Sequence, residues 1–113
     1  MSPARQATAG LARSAPVFAA LGDETRLALL ARLCEGGPWS IARLTDGTSI
    51  TRQAVTKHLE VLAGAGLVRD ARRGRERVWA LAPDRLGEAR RTIDELSRRC
   101  DETLRRLKAF VEG

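Results

Sequence analysis

Four residues on one short stretch carry groups suited to reading a nucleic acid. Arg52, Gln53, Thr56 and Lys57 recur at the spacing of a single helix face, and each can hydrogen-bond a base edge or a phosphate. Val55, Leu59 and Leu62, at 4-then-3 spacing, would form the buried face of the same helix. Thr51 is placed to cap its start by accepting a hydrogen bond from a free backbone N–H of the first turn. Gly64 and Gly66 follow as stop signals, because glycine enters the left-handed conformation at little cost. The stretch Ser49–Leu67 therefore reads as a candidate recognition helix.

Other reactive side chains are few. His58 is the single histidine, and nothing near it in sequence completes a triad or a metal site. On a recognition helix it would donate to a phosphate or pack at the helix end. Cys34 and Cys100 are the only cysteines, too few for a disulfide scaffold. They read either as a thiol-redox pair or as small apolar residues on helix faces. No catalytic constellation, metal ligand set or cofactor motif emerges, so an enzyme is not expected. Trp39 and Trp79 lack the surrounding aromatics of a stacking platform and are assigned to a core or an interface.

The elements that would position the reading face follow from the flanking sequence. Residues 1–13 show no periodicity and are expected to form a flexible tail. Ser14 to Leu21 can form a helix, with Ser14 as cap, Pro16 in the first turn and Val17, Phe18 and Leu21 as its apolar face. Asp23 is placed to cap a helix from about Glu24 to Cys34, with Leu27, Leu30, Ala31 and Leu33/Cys34 facing inward. Ser40 would cap a short third helix carrying Ile41 and Leu44. Two short helices joined by a tight turn, the second bearing the polar face, make a helix-turn-helix.

After Gly66 the hydrophobic period changes. Val78, Ala80 and Glu76 alternate with Arg77, Trp79 and Leu81, predicting two short strands joined at Arg72-Arg73-Gly74-Arg75. Five arginines and two acids lie between Arg69 and Arg77. A hairpin so charged beside a helix-turn-helix reads as a wing reaching a phosphate or the minor groove, the alternative being a solvated hairpin. From Pro83 the chain returns to helix over about 83–112. Leu86, Ala89, Ile93, Leu96, Cys100, Leu104, Leu107 and Val111 form a nearly continuous stripe along it. So long a stripe on so small a chain predicts pairing with a second copy across a two-fold axis, the alternative being a helix folded back over its own domain.

The bulk composition bounds these readings. The chain has 113 residues, room for one domain, assigned to 14–113. Its 43% apolar and 30% charged content suits a folded protein. The net charge is +6; residues 1–83 hold twelve Arg and Lys against seven Asp and Glu, and the remainder eight against seven. A basic body and a charge-balanced helical tail suggest a polyanion partner for the first and a protein partner for the second. With no apolar run near the roughly 18 residues of a membrane span and no signal-peptide core in MSPARQATAGLARS, a cytoplasmic protein is expected. The fold class expected is mainly α with a small β-hairpin: a winged helix-turn-helix with a long C-terminal dimerisation helix.

Several stretches taken together resemble the ArsR family of bacterial winged-helix repressors. They are Ala20-Leu21-Gly22-Asp23-Glu24-Thr25-Arg26, Ser49 to Leu59, Leu62 with Ala65-Gly66-Leu67-Val68, and the wing Arg72-Arg73-Gly74-Arg75 followed by Val78-Trp79-Ala80-Leu81. The resemblance implies a homodimer packed through the first and last helices, with Val17, Phe18, Ile93, Leu96, Cys100, Leu104 and Leu107 at the interface. It implies binding to an imperfect palindrome in double-stranded DNA, and repression relieved by an inducer. Carried onto this chain, Thr51, Arg52, Gln53, Thr56 and Lys57 would face the major groove. His58 would sit near the DNA backbone, Ser40 would donate to a phosphate, and Arg72, Arg73 and Arg75 would reach the flanking groove. Metal-sensing members carry Cys-x-Cys in the third helix, where this chain has Ser40 and Ala42, so neither usual metal site is expected. The closer likeness is to non-metal members with a Leu-Gly-Asp-x-Thr-Arg motif. A sequence-tolerant architectural DNA binder, a repressor switched by Cys34 and Cys100, and a protein-interaction module on the same scaffold are the alternatives.

Overall fold

The computed structural model describes the backbone of residues 3–113 and the side chains of residues 9–113. In chain order the elements are α1 (Pro3–Leu21), α2 (Glu24–Glu35), β1 (Trp39–Ser40), α3 (Ile41–Thr45), α4 (Arg52–Gly64), β2 (Val68–Arg73), β3 (Glu76–Leu81) and α5 (Asp84–Glu112). The three strands form one antiparallel sheet in the order β1-β3-β2. No helix among the described residues is long and apolar enough to cross a membrane.

The sharp local signals fall where capping chemistry places them. Asp23 accepts the backbone N–H of Arg26 at 3.0 Å, Ser40 that of Arg43 at 3.2 Å and Thr51 that of Ala54 at 3.1 Å, each opening a helix. The far end of α4 closes on Gly66 (φ +78°), where Leu67 N–H returns to the Leu62 carbonyl and Gly66 N–H to that of Ala63. A side chain at position 66 would also collide with Arg85, whose Cγ lies 2.6 Å from the Cβ position. Thr51→Ala is expected to lower stability by about 0.5–2 kcal/mol, read as a shift in thermal or urea midpoint, because one first-turn N–H loses its acceptor.

The N-terminal region departs from expectation. Residues 1 and 2 of the expected tail lie outside the described residues, and from Pro3 onward the chain is helical. Proline suits a first helical turn and the alanines that follow favour helix, but the segment has no apolar stripe to mark it. Ser14 is not a cap and Pro16 not in the first turn; both lie inside α1. Ser14 is 2% exposed and bonds Thr92 of α5 at 2.8 Å.

Helix α2 is rotated from its expected face. Leu29, Leu30 and Leu33 are buried, whereas Leu27, Ala31 and Cys34 are exposed. So many leucines fall within three turns that two faces compete, and contact with α4 and β3 selects between them. The core gathers these leucines with Val17 and Ala20 of α1, Leu44 of α3, Val55, Leu59 and Leu62 of α4, and Leu67, Val68, Trp79 and Ala89. Neither strand of the wing alternates cleanly. Val78 and Trp79, adjacent in β3 and so on opposite faces of the sheet, are both buried; across the edge strand β1, Trp39 stands opposite Trp79 and Ser40 opposite Val78.

Among the described residues, the burial of α5 is confined to its first part. That part packs on α1, burying Ala89 and partly covering Leu86 and Leu96. Every residue from Ser97 to Gly113 is exposed, and the molecule is 65 Å long by 34 by 20 Å.

Candidate nucleic-acid interface

Helix α4 buries one face in the core and presents the other outward. Arg52, Gln53, Thr56, Lys57 and Glu60 together line an open groove along that outer face. Among the described residues the side chains of Arg52, Gln53 and Lys57 make no hydrogen bond or ion pair, so their donors are free for a ligand. Thr56 differs: its hydroxyl donates to the Arg52 carbonyl at 2.8 Å. With that proton committed, Thr56 can offer only a lone pair or its methyl, the group that packs on a thymine methyl. Thr51, exposed at the start of the helix, spends a lone pair on the cap and keeps its O–H.

Glu60 is not among the residues expected from the sequence. It sits three and four positions beyond Lys57 and Thr56, the spacing that puts it on their face. A carboxylate is repelled by phosphate and by the acceptor edge of guanine, but can accept from cytosine N4.

The wing closes through the two-residue turn Gly74-Arg75, with Arg73 opposite Glu76. Of the two turn residues only Gly74 has positive φ (+64°), as a turn with glycine first and an ordinary residue second requires. Its five arginines separate into two groups. Arg77 donates to Asp70 at 2.8 Å and stacks over the Trp79 ring at 4.6 Å, and this hydrogen bond holds the Asp70 carboxyl below the usual carboxylate range. Arg73 reaches back to the Pro38 carbonyl at 3.2 Å. Arg69, Arg72 and Arg75 are exposed, with no such partner among the described residues. Ser40 caps α3, its oxygen occupied by Arg43 N–H.

His58 does not join the reading face. It lies nearly opposite Thr56 and Glu60 around the helix, since successive residues advance about 100°. Its Nδ1 is 3.4 Å from Arg26 Nη1 and 4.0 Å from Asp23 Oδ1, at the corner between α1 and α2. The Asp23 carboxyl is lowered, chiefly by the backbone N–H of Arg26 that it caps.

Among the expected interface residues, Val17 is a correction. It is 2% exposed inside the core of its own chain, and a side chain already enclosed there has no surface to offer a second copy. Phe18 is partly buried beside it. Ile93, Cys100, Leu104 and Leu107 are exposed, and Leu96 is half-buried. Cys34 and Cys100 are both free, exposed thiols, so Cys34 is not the apolar-face residue expected. Trp79 is in the core, while Trp39 is half-buried, with the guanidinium groups of Arg32 and Arg43 at 5.3 and 4.6 Å from its ring centre.

A donor-rich outward helix in the second position of a helix-turn-helix, flanked by an arginine-rich hairpin, defines a winged-helix DNA-binding protein. A helix-turn-helix domain model matches residues 21–71. An uncharacterised HTH-type transcriptional regulator of Methanocaldococcus jannaschii is 31% identical over 84 residues, covering 74% of this chain and 94% of that protein. The chain belongs to the ArsR family of winged helix-turn-helix transcriptional regulators. The arsenical resistance operon repressor of Escherichia coli is 30% identical over 97 residues, covering 86% of this chain and 80% of that one. Among solved structures, an ArsR-like transcriptional regulator from Rhodococcus sp. RHA1 superposes with a TM-score of 0.72 at 35% identity, covering 88% of this chain and 92% of that one. The protein is accordingly a DNA-binding transcriptional regulator.

Proposed function

We propose that the protein is a homodimeric repressor that grips an imperfect palindromic operator through two copies of α4, with the wings on the flanking grooves. The observation that carries this is the pairing of a donor-bearing α4 face with an α5 whose last seventeen residues are all exposed. A two-fold pairing along α5 would present two α4 helices to successive major grooves on one side of the duplex. Arg52, Gln53, Thr56 and Lys57 are assigned to base edges and nearby phosphates. Arg72 and Arg75 are assigned to the flanking groove. The proposed place of action is the cytoplasm.

We also infer that release is not by the usual soft-metal route. Ser40 and Ala42 offer no thiolate, and soft metals need two or more convergent thiolate or imidazole ligands.

Arg52→Ala tests the base-reading role. Using an operator selected from random duplexes and a scrambled duplex of equal length, the substitution is expected to cost about 1–3 kcal/mol, roughly 5- to 150-fold, on the operator. Scrambled DNA at the same salt should change by less than about threefold, because it is held mainly by the remaining phosphate contacts. Equal weakening on both duplexes would remove Arg52 from base reading.

A further inference from the structure

We infer that Arg26 and His58 form a positioning link that sets the rotation of the DNA-reading helix relative to α1. This rests on α4 being that helix, as proposed above.

The Arg26 guanidinium bridges two elements far apart in sequence. Its Nε donates to the Ala20 carbonyl in the last turn of α1 at 2.6 Å, and its Nη1 reaches His58 Nδ1 on α4 at 3.4 Å. Its own backbone N–H is held by the Asp23 carboxylate at 3.0 Å, so the side chain projects from a capped helix start. One residue therefore ties α1, α2 and α4 at a single point. Guanidinium carries only donors, so in this contact His58 Nδ1 stands as the acceptor. The imidazole side chain is only 25% exposed.

Geometry makes this contact a lever on recognition. His58 and the reading face lie on opposite sides of α4, so displacement at one appears as rotation at the other. With side-chain tips about 5–6 Å from the axis, a rotation of about 10° moves them by about 1 Å. Hydrogen bonds to base edges tolerate only about 2.7–3.2 Å, so such a shift disrupts base readout. Phosphate attraction acts over about 10 Å at moderate salt and is barely affected. The signature of a positioning role is thus loss of discrimination without loss of general DNA binding.

The experiment compares His58→Leu, which removes the acceptor, with His58→Asn, whose Oδ1 stands close to where Nδ1 was. Each full-length variant is titrated against selected operator and scrambled duplex, with the active fraction fixed by stoichiometric titration. We expect His58→Leu to lower the operator-to-scrambled ratio about tenfold, the worth of a good base contact, with scrambled binding within about twofold. His58→Asn should restore most of the ratio. An unchanged ratio in His58→Leu overturns the inference. So does a parallel fall on both duplexes, which marks a contact that only stabilises the fold. Equal loss in both variants points instead to the imidazole touching DNA, and likewise overturns it. Arg52→Ala is run alongside: if it fails to discriminate, the reading role of α4 falls; if it discriminates and His58→Leu does not, only the link falls.

Discussion

Replacing Leu104 and Leu107 together by glutamate is expected to convert the protein to a folded monomer and to weaken operator binding by about 10²–10⁴-fold. In one chain these leucines are 59% and 55% exposed, so the winged-helix body loses nothing when they become charged. In the proposed dimer the same four carboxylates would be buried across a two-fold axis, desolvated and mutually repulsive. Losing the partner removes one of two linked half-site contacts, whose contribution to avidity is of the size quoted. Sedimentation velocity reads the first effect, and titration of a full and a half operator reads the second. Retention of a tight dimer by the double variant would show that α5 is not what holds the two chains together.

Leu59→Ala carries the largest expected cost to folding. Leu59 is fully buried on the inner face of α4, in the cluster that joins all the helices to the sheet. Truncation removes transfer energy and leaves a cavity, costing about 2–5 kcal/mol. Against a total of about 5–15 kcal/mol, that is a large fraction of what keeps the domain folded. Val61, two residues on and 46% exposed, supplies the contrast: Val61→Ala should shift stability by no more than about 0.5 kcal/mol. Urea denaturation at one fixed protein concentration distinguishes the two, and comparable losses would mean that the α4 face assignment is wrong.

These expectations draw unequally on sequence and structure. The starts of α2, α3 and α4 were legible because an Asp, Ser or Thr that caps a helix does so within three residues. The turn at Gly74 and the outward set Arg52, Gln53, Thr56 and Lys57 were legible for the same reason: their geometry is local. What escaped is non-local. The two-residue strand at Trp39 exists only because β3, 38 to 40 positions away, supplies its hydrogen bonds. The burial of Val17 depends on the core that α1 joins, and its neighbours do not reveal it. The face of α2 depended on which of its clustered leucines met α4. For His58 the sequence offered a phosphate contact or packing at the helix end, and the contact with Arg26, 32 residues earlier, is one that spacing does not reveal. Glu60 was visible by spacing, but a search for donors passes over an acceptor.

In the proposed dimer, the exposed half of α5 would tie gene dosage to function. If the proposed pairing along α5 holds, the DNA-competent dimer is a product of mass action, and each tenfold rise in subunit concentration favours the paired state by about 1.4 kcal/mol per dimer. A cell that makes few copies would hold them as separate chains, each meeting at most half an operator. Below the dimer dissociation constant the proposed dimer, and with it promoter occupancy, would rise with the square of subunit number, and past that constant only linearly, giving the proposed repressor a threshold before any effector is present.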